Sequence, residues 1–130
     1  MQNPAYSQAY LRSPVPLSEL PPSFGIVTAC NPFGRILTDE ANQDRTHRLR
    51  EHLTSLGLDS FPVTGGDEAG DHLEPGFGIP GTDRDAIIRI GAKFEQDAVF
   101  WVSAGILELV PCGPGTAETL GRLDTRWLNP

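Results

Sequence analysis

The sequence predicts an α+β fold: a mainly antiparallel sheet of about five strands, with two helices packed on one face. Three observations predict it. Candidate elements run strand, helix, strand, strand, helix, strand, strand, an order that suits a sheet with helices gathered on one side. Both candidate helices open on capping signals. The strands "DAVFWVS" and "ILELVP" are joined by Ala104-Gly105, which reads as a hairpin. A ferredoxin-like split βαβ arrangement with one added strand satisfies this order. The prolines around Phe77, Pro75 and Pro80, argue against that segment lying in the middle of the sheet.

Residues 1–23 read as a proline-rich N-terminal leader. "AYSQAYLR" has Tyr6 and Tyr10 four apart, as on one helical face. The prolines of "SPVPLSELPPS" exclude helix and favour an extended path. This segment is expected to drape over the domain or to be partly mobile. Residues 24–111 read as the α+β core domain, and 112–130 as a C-terminal tail.

The first strand spans residues 24–30. The first helix spans 38–56, with Thr38 as N-cap, Asp39 and Glu40 where the macrodipole favours anions, and Gly57 as the stop. Its apolar stripe is Leu49, Leu53 and Leu56. Continued backward, that stripe meets Asn42 and Arg45 or Thr46, so the inward face is apolar at one end and polar at the other. "DSFPVTGGD" holds a short strand. In "EPGFGIPG", Phe77 and Ile79 alternate with Gly76 and Gly78, leaving one face bare for a ligand or another backbone. "TDRD" (82–85) opens the second helix in the manner of a capping box. Ile87, Ile90, Gly91 and Phe94 face inward there, and a glycine in mid-helix implies a close contact. In the tail, Leu120, Leu123 and Trp127 could share one helical face.

Composition excludes several classes. The 12 prolines and 14 glycines mark a chain rich in turns. A net charge of −7 with Lys93 as the sole lysine argues against nucleic acid, which needs a concentrated basic surface. No apolar run approaches the ~18 residues of a spanning helix, and the N-terminus lacks the basic and apolar regions of a signal peptide. The expectation is a cytoplasmic protein without membrane partners. Cys30 and Cys112, far apart and outside any CxxC motif, are expected to be free thiols.

"GIVTACNPFGR" raises the functional question. Asn-Pro initiates turns, so Asn31 could be turn chemistry alone. It could also be held at a strand end to bind something. Asn42, on the inward face of the first helix, must find partners and could either tie that turn down or share a pocket with it. Glu74 could be an exposed loop carboxylate or could point into the same place. Gln96 could cap the second helix or join the set. If strand ends and helix ends meet at one sheet edge, these four converge. An amide-rich set with one carboxylate suits a polar small molecule better than nucleophilic chemistry. The loop carrying Asp67, Glu68, Asp71, His72 and Glu74 lacks the ligand spacing of a calcium hand. His47 and His52 lie five apart and share no helix face. No metal is therefore expected, and no dinucleotide or phosphate loop implies a cofactor. Arg45, Arg48 and Arg50 read most simply as a solvated helix face.

The stretches "YSQAYL", "FGIVTACNPFGR", "DEANQDRTHRLREHL", "EPGFGIPG" and "KFEQDAVFWV" resemble the small bacterial family catalogued as domain of unknown function 3293. The resemblance runs from roughly Tyr6 to Pro111. Thr28, Asn31, Pro32, Asn42, Glu74, Phe77, Phe94, Gln96 and Ala98 carry it. The departures are "SPVPLSELPPS", where a more regular extended segment is expected, and Cys30 in place of a larger aromatic residue. The resemblance implies a cytoplasmic, bacterial, stand-alone domain and no particular activity.

Two functional expectations follow. One is a polar pocket near Asn31, Asn42, Glu74 and Gln96 that binds a small polar molecule, with Glu74 as the candidate general base if there is catalysis. The other is a protein-interaction or regulatory module, in which those residues are structural and the leader and tail meet a protein partner. Whether the chain is an enzyme is left open.

Overall fold

Along the strands, apolar side chains alternate between two opposite faces, and each face carries its own buried cluster. The structure, a computed structural model, describes residues 4–129. Its strands are β1 (Tyr10–Arg12), β2 (Ser23–Thr28), β3 (Phe61–Gly66), β4 (Leu73–Ile79), β5 (Ala98–Ser103), β6 (Ile106–Pro111), β7 (Glu118–Arg122) and β8 (Trp127–Leu128). Helix α1 (Asp39–Ser55) joins β2 to β3, and α2 (Arg84–Lys93) joins β4 to β5. All eight strands form one curled sheet in the order β7-β6-β5-β2-β4-β3-β1-β8. The β1–β8 pair is parallel and the others are antiparallel.

This corrects the expected fold in strand number and direction: the sheet is eight-stranded and mixed, not about five antiparallel strands. The four strands β5-β2-β4-β3, with the two helices as crossovers, follow a split βαβ path. The additions come from the flanks. The leader supplies β1, which pairs with β3 on one side and β8 on the other. The tail supplies β7, a 3₁₀ turn at Leu123–Thr125 and β8 in place of a helix.

The second correction concerns β4, which lies inside the sheet between β2 and β3. Pro75 is tolerated there for a geometric reason. Its carbonyl accepts the Thr28 hydroxyl at 2.9 Å, so its backbone polar side faces β2. That is where β2 has just ended, so the missing N–H removes no ladder bond.

Helices α1 and α2 pack on one face. Leu49, Leu53, Ile87 and Ile90 meet Val27, Phe77, Ile79 and Val99 there, all buried. Leu56, expected in the stripe, is the C-cap of α1 and is exposed. The N-cap of α1 forms as the sequence suggests, with Thr38 Oγ1 accepting from the Ala41 N–H at 3.2 Å. At α2 the cap is Asp83, whose Oδ1 accepts from the Ala86 N–H at 2.8 Å, one residue after the Thr82 that a capping box over 82–85 implies. A Cβ on Gly91 would lie 2.4 Å from Val99 Cγ1, which is the close contact that its mid-helix position implies. The other face curls around Leu11, Phe24, Ile26, Val63, Val102, Leu107, Leu123 and Trp127. Trp127 and Phe61 both stand edge-on to Phe24, with centroids 6.3 and 5.3 Å away.

Candidate functional site

The turn after β2 sets up the site. Asn31 is in the left-handed region (φ 49°), a conformation that asparagine tolerates better than most residues. Its backbone N–H donates to Asn42 Oδ1 at 2.9 Å, and Asn42 Nδ2 donates back to Asn31 Oδ1 at 2.9 Å. The Leu37 N–H donates to the same Asn31 Oδ1 at 3.0 Å. Arg45 Nε reaches the Ala29 carbonyl at 2.6 Å, and its Nη2 reaches the Phe94 carbonyl at 2.5 Å. Gln96, only 3% exposed, donates Nε2 to the carbonyls of Cys30 (3.0 Å) and Phe94 (3.1 Å). The polar half of the α1 stripe therefore hydrogen-bonds the backbone of the turn, which would otherwise be buried with carbonyls unpaired.

With Oδ1 and the backbone N–H engaged on the α1 side, the Asn31 side chain also neighbours Glu74. The Glu74 side chain projects onto the concave face, two strands across the ladder from Leu11 through Gly65. Burial pushes the Glu74 carboxyl above the usual range, and the Asn31 hydrogen bond acts in the opposite sense. No cationic side chain pairs with Glu74 among the described residues.

Glu74 and Asn31 line an open cleft of about 810 Å³ on the concave face. Its apolar walls include Ile26, Val63 and Phe100, and its floor includes Gly65 and Gly76. Tyr6, in the 3₁₀ turn Pro4–Gln8, also lines the cleft. Burial and the nearby Glu74 and Asp97 carboxylates push the Tyr6 phenol up to about 12, so it keeps its proton at neutral pH. Arg126 Nη1 straps that turn in place through the carbonyls of Ser7 (2.6 Å) and Ala9 (3.3 Å).

The four residues singled out in the sequence thus surround one turn but do two things. Asn31 and Glu74 line the cleft, whereas Asn42 and Gln96 reach the turn from its far side. Sequence reasoning missed Tyr6, Phe100 and Arg126 as cleft residues. Phe100 could have been found, since strand alternation puts it on one face with Ala98 and Val102, and it pairs with Ile26. Among the described residues, no three His, Cys, Asp or Glu side chains are grouped so as to hold a metal ion. No helix described is long and apolar enough to cross a membrane. Cys30, buried, and Cys112, partly buried, are free thiols.

Fold and site define an α+β domain with helices sealing one face of a curled sheet and a cleft left open on the other. Residues 27–99, more than half of the chain, match the family described as "Protein of unknown function (DUF3293)", and the chain belongs to that family. The matched segment contains Asn31, Asn42, Glu74 and Gln96, while Tyr6 and Arg126 lie outside it. Neither the curated proteins nor the solved structures yield a match.

Proposed function

We propose that the concave cleft binds a small polar molecule, with Glu74 and Asn31 as its principal polar contacts and Asn42 and Gln96 holding the turn that presents them. One observation carries this: a partly buried carboxylate with no cationic partner among the described residues, facing a cleft of about 810 Å³. That volume falls within the range of small-molecule sites, roughly 300–1,000 Å³, and the mix of apolar wall and few polar groups is typical of them. Leaving a carboxylate partly desolvated without a counter-charge costs stability, and such costs concentrate at functional sites. No reaction is assigned.

The test is urea unfolding of Glu74→Gln beside the parent. Gln keeps an acceptor for Asn31 and removes the charge. Unchanged or raised stability fits a residue held for binding. A loss of about 1–3 kcal/mol would make Glu74 a structural group and end this proposal.

The interaction-module alternative has less support. Tyr10–Arg12 and Trp127–Leu128 are hydrogen-bonded within the sheet, so parts of the leader and tail already have partners in the fold. Deleting residues 1–22 would strip β1 from β3 and β8 and would not isolate a docking segment.

A further inference from the structure

The cleft's unused hydrogen-bonding atoms indicate what it would hold; this inference rests on the cleft being a binding site. Several of its donors are engaged. The Thr28 hydroxyl donates to the Pro75 carbonyl at 2.9 Å. The Asn31 N–H goes to Asn42. Arg126 gives its Nη groups to the carbonyls of Ser7, Ala9 and Leu120. Glu74 is the reverse case, an acceptor with lone pairs to spare, because Asn31 supplies a single amide group to two carboxylate oxygens. Asp67 and Glu68 also line the cleft and add negative charge. An incoming anion would meet these carboxylates on a chain of net charge −7. The cationic side chains of the lining do not reverse this balance. Arg126 precedes β8, three strands from β4 in the sheet order, and His72 is exposed. Two aromatic side chains, Tyr6 and Phe100, line the same space, and aromatic faces attract cations.

We propose that the cleft takes a small molecule bearing an ammonium group on a short apolar body, with the charged head on Glu74 and the body along Ile26 and Phe100. The head supplies the donors that Glu74 lacks, and the body covers the apolar wall.

The test compares three probes with the same six-carbon body: hexylammonium, 1-hexanol and hexanoate. Each is titrated into ¹⁵N-labelled protein while the backbone amides of Thr28, Gly65 and Gly76 are followed. Hexylammonium is expected to move these amides saturably, and hexanoate to leave them unmoved. Glu74→Gln should weaken hexylammonium binding about tenfold or more, because a charge-assisted hydrogen bond is lost. Gly65→Val should block it by filling the cleft, since a Cβ at Gly65 meets nothing nearer than Leu11 Cδ2 at 4.0 Å. The head-group comparison is made in the parent chain and stands even if Gly65→Val does not fold. If hexanol or hexanoate moves the same amides as tightly as hexylammonium, the ammonium class is wrong while the cleft remains a binding site. Equal hexylammonium affinity in Glu74→Gln also overturns the class. If none of the three probes moves the cleft amides, the class fails and the binding site loses its support.

Discussion

The two faces of the sheet use the same device and finish it differently. Under the helices, Gly25 leaves a notch that Ile87 fills: a Cβ there would lie 2.4 Å from Ile87 Cγ1. On the concave face, Gly78 leaves a notch that the Phe61 ring fills, at 2.3 Å from a notional Cβ. Gly65, on the same concave face, leaves a notch with nothing in it closer than Leu11 at 4.0 Å. Where every missing side chain is replaced by a neighbour, the surface is sealed and contributes packing energy. Where one is not replaced, the space stays open. Glu74 stands beside that space, paired across the ladder with Gly65 itself.

Four substitutions would break or sharpen this contrast. The largest effect belongs to the sealed face: Ile87→Ala should cost about 2–5 kcal/mol in urea unfolding, because it empties a fully buried site wedged against β2. A cost under about 1 kcal/mol would show that the helix layer is loosely packed and that the contrast is false. Asn42→Leu should cost about 1–3 kcal/mol, since it strands the Asn31 N–H and leaves Asn31 Oδ1 one donor short.

Glu74→Gln should move the other way, with a gain of up to about 1–2 kcal/mol at pH 7. The gain should depend on pH. The folded pKa of Glu74 is raised, so the stability that comes with its neutral form is fully present below the unfolded carboxylate range. It is lost as pH rises through the folded pKa. The parent should therefore close the gap on the variant as pH is lowered toward 4, and unfolding curves at several pH values would show whether the gap closes. A gap that widens on acidification would mean that Glu74 is stabilised as the anion. The smallest effect is Gly65→Ala, worth about 0.4–1 kcal/mol of stabilisation because the unfolded chain loses freedom and the folded one meets no clash. A loss of thermal stability there would mean that the notch is needed for folding and not left for a ligand.

Particular residues show what was legible in the sequence. Thr38 announced its helix because a cap is a local bond, and "TDRD" placed the start of α2 to within one residue, with Asp83 capping in place of Thr82. The polar half-stripe of α1 announced that Asn42 faces inward, because helical spacing is also local, whereas Arg45, read with Arg48 and Arg50 as a solvated face, turns in to the Ala29 and Phe94 carbonyls. The flanking strands were not legible. Tyr10–Arg12 is three residues and Trp127–Leu128 two, too short to display an alternation. Leu120, Leu123 and Trp127 do turn inward, but from strand and 3₁₀ backbone rather than from a helix. Pro75 argued for an edge because its sequence context cannot reveal that β2 stops one residue short of it. The cleft was half visible for the same reason. Asn31 and Glu74 sit in strongly patterned segments, whereas Tyr6 and Arg126 reach it only through pairings of distant strands.

The parallel pairing of β1 with β8 also sets a timetable. A strand made early in synthesis must wait for both of its neighbours. The Val15 carbonyl that receives the Trp127 indole N–H at 2.9 Å precedes it by 112 residues. Contacts so far apart in the chain form slowly, and until they form the outer edge of β1 is exposed to other nascent chains. Arg126, which straps the wall of the cleft, arrives with β8. The helical layer can therefore mature while the chain is still growing, and the hollow opposite it takes shape only when β8 has docked.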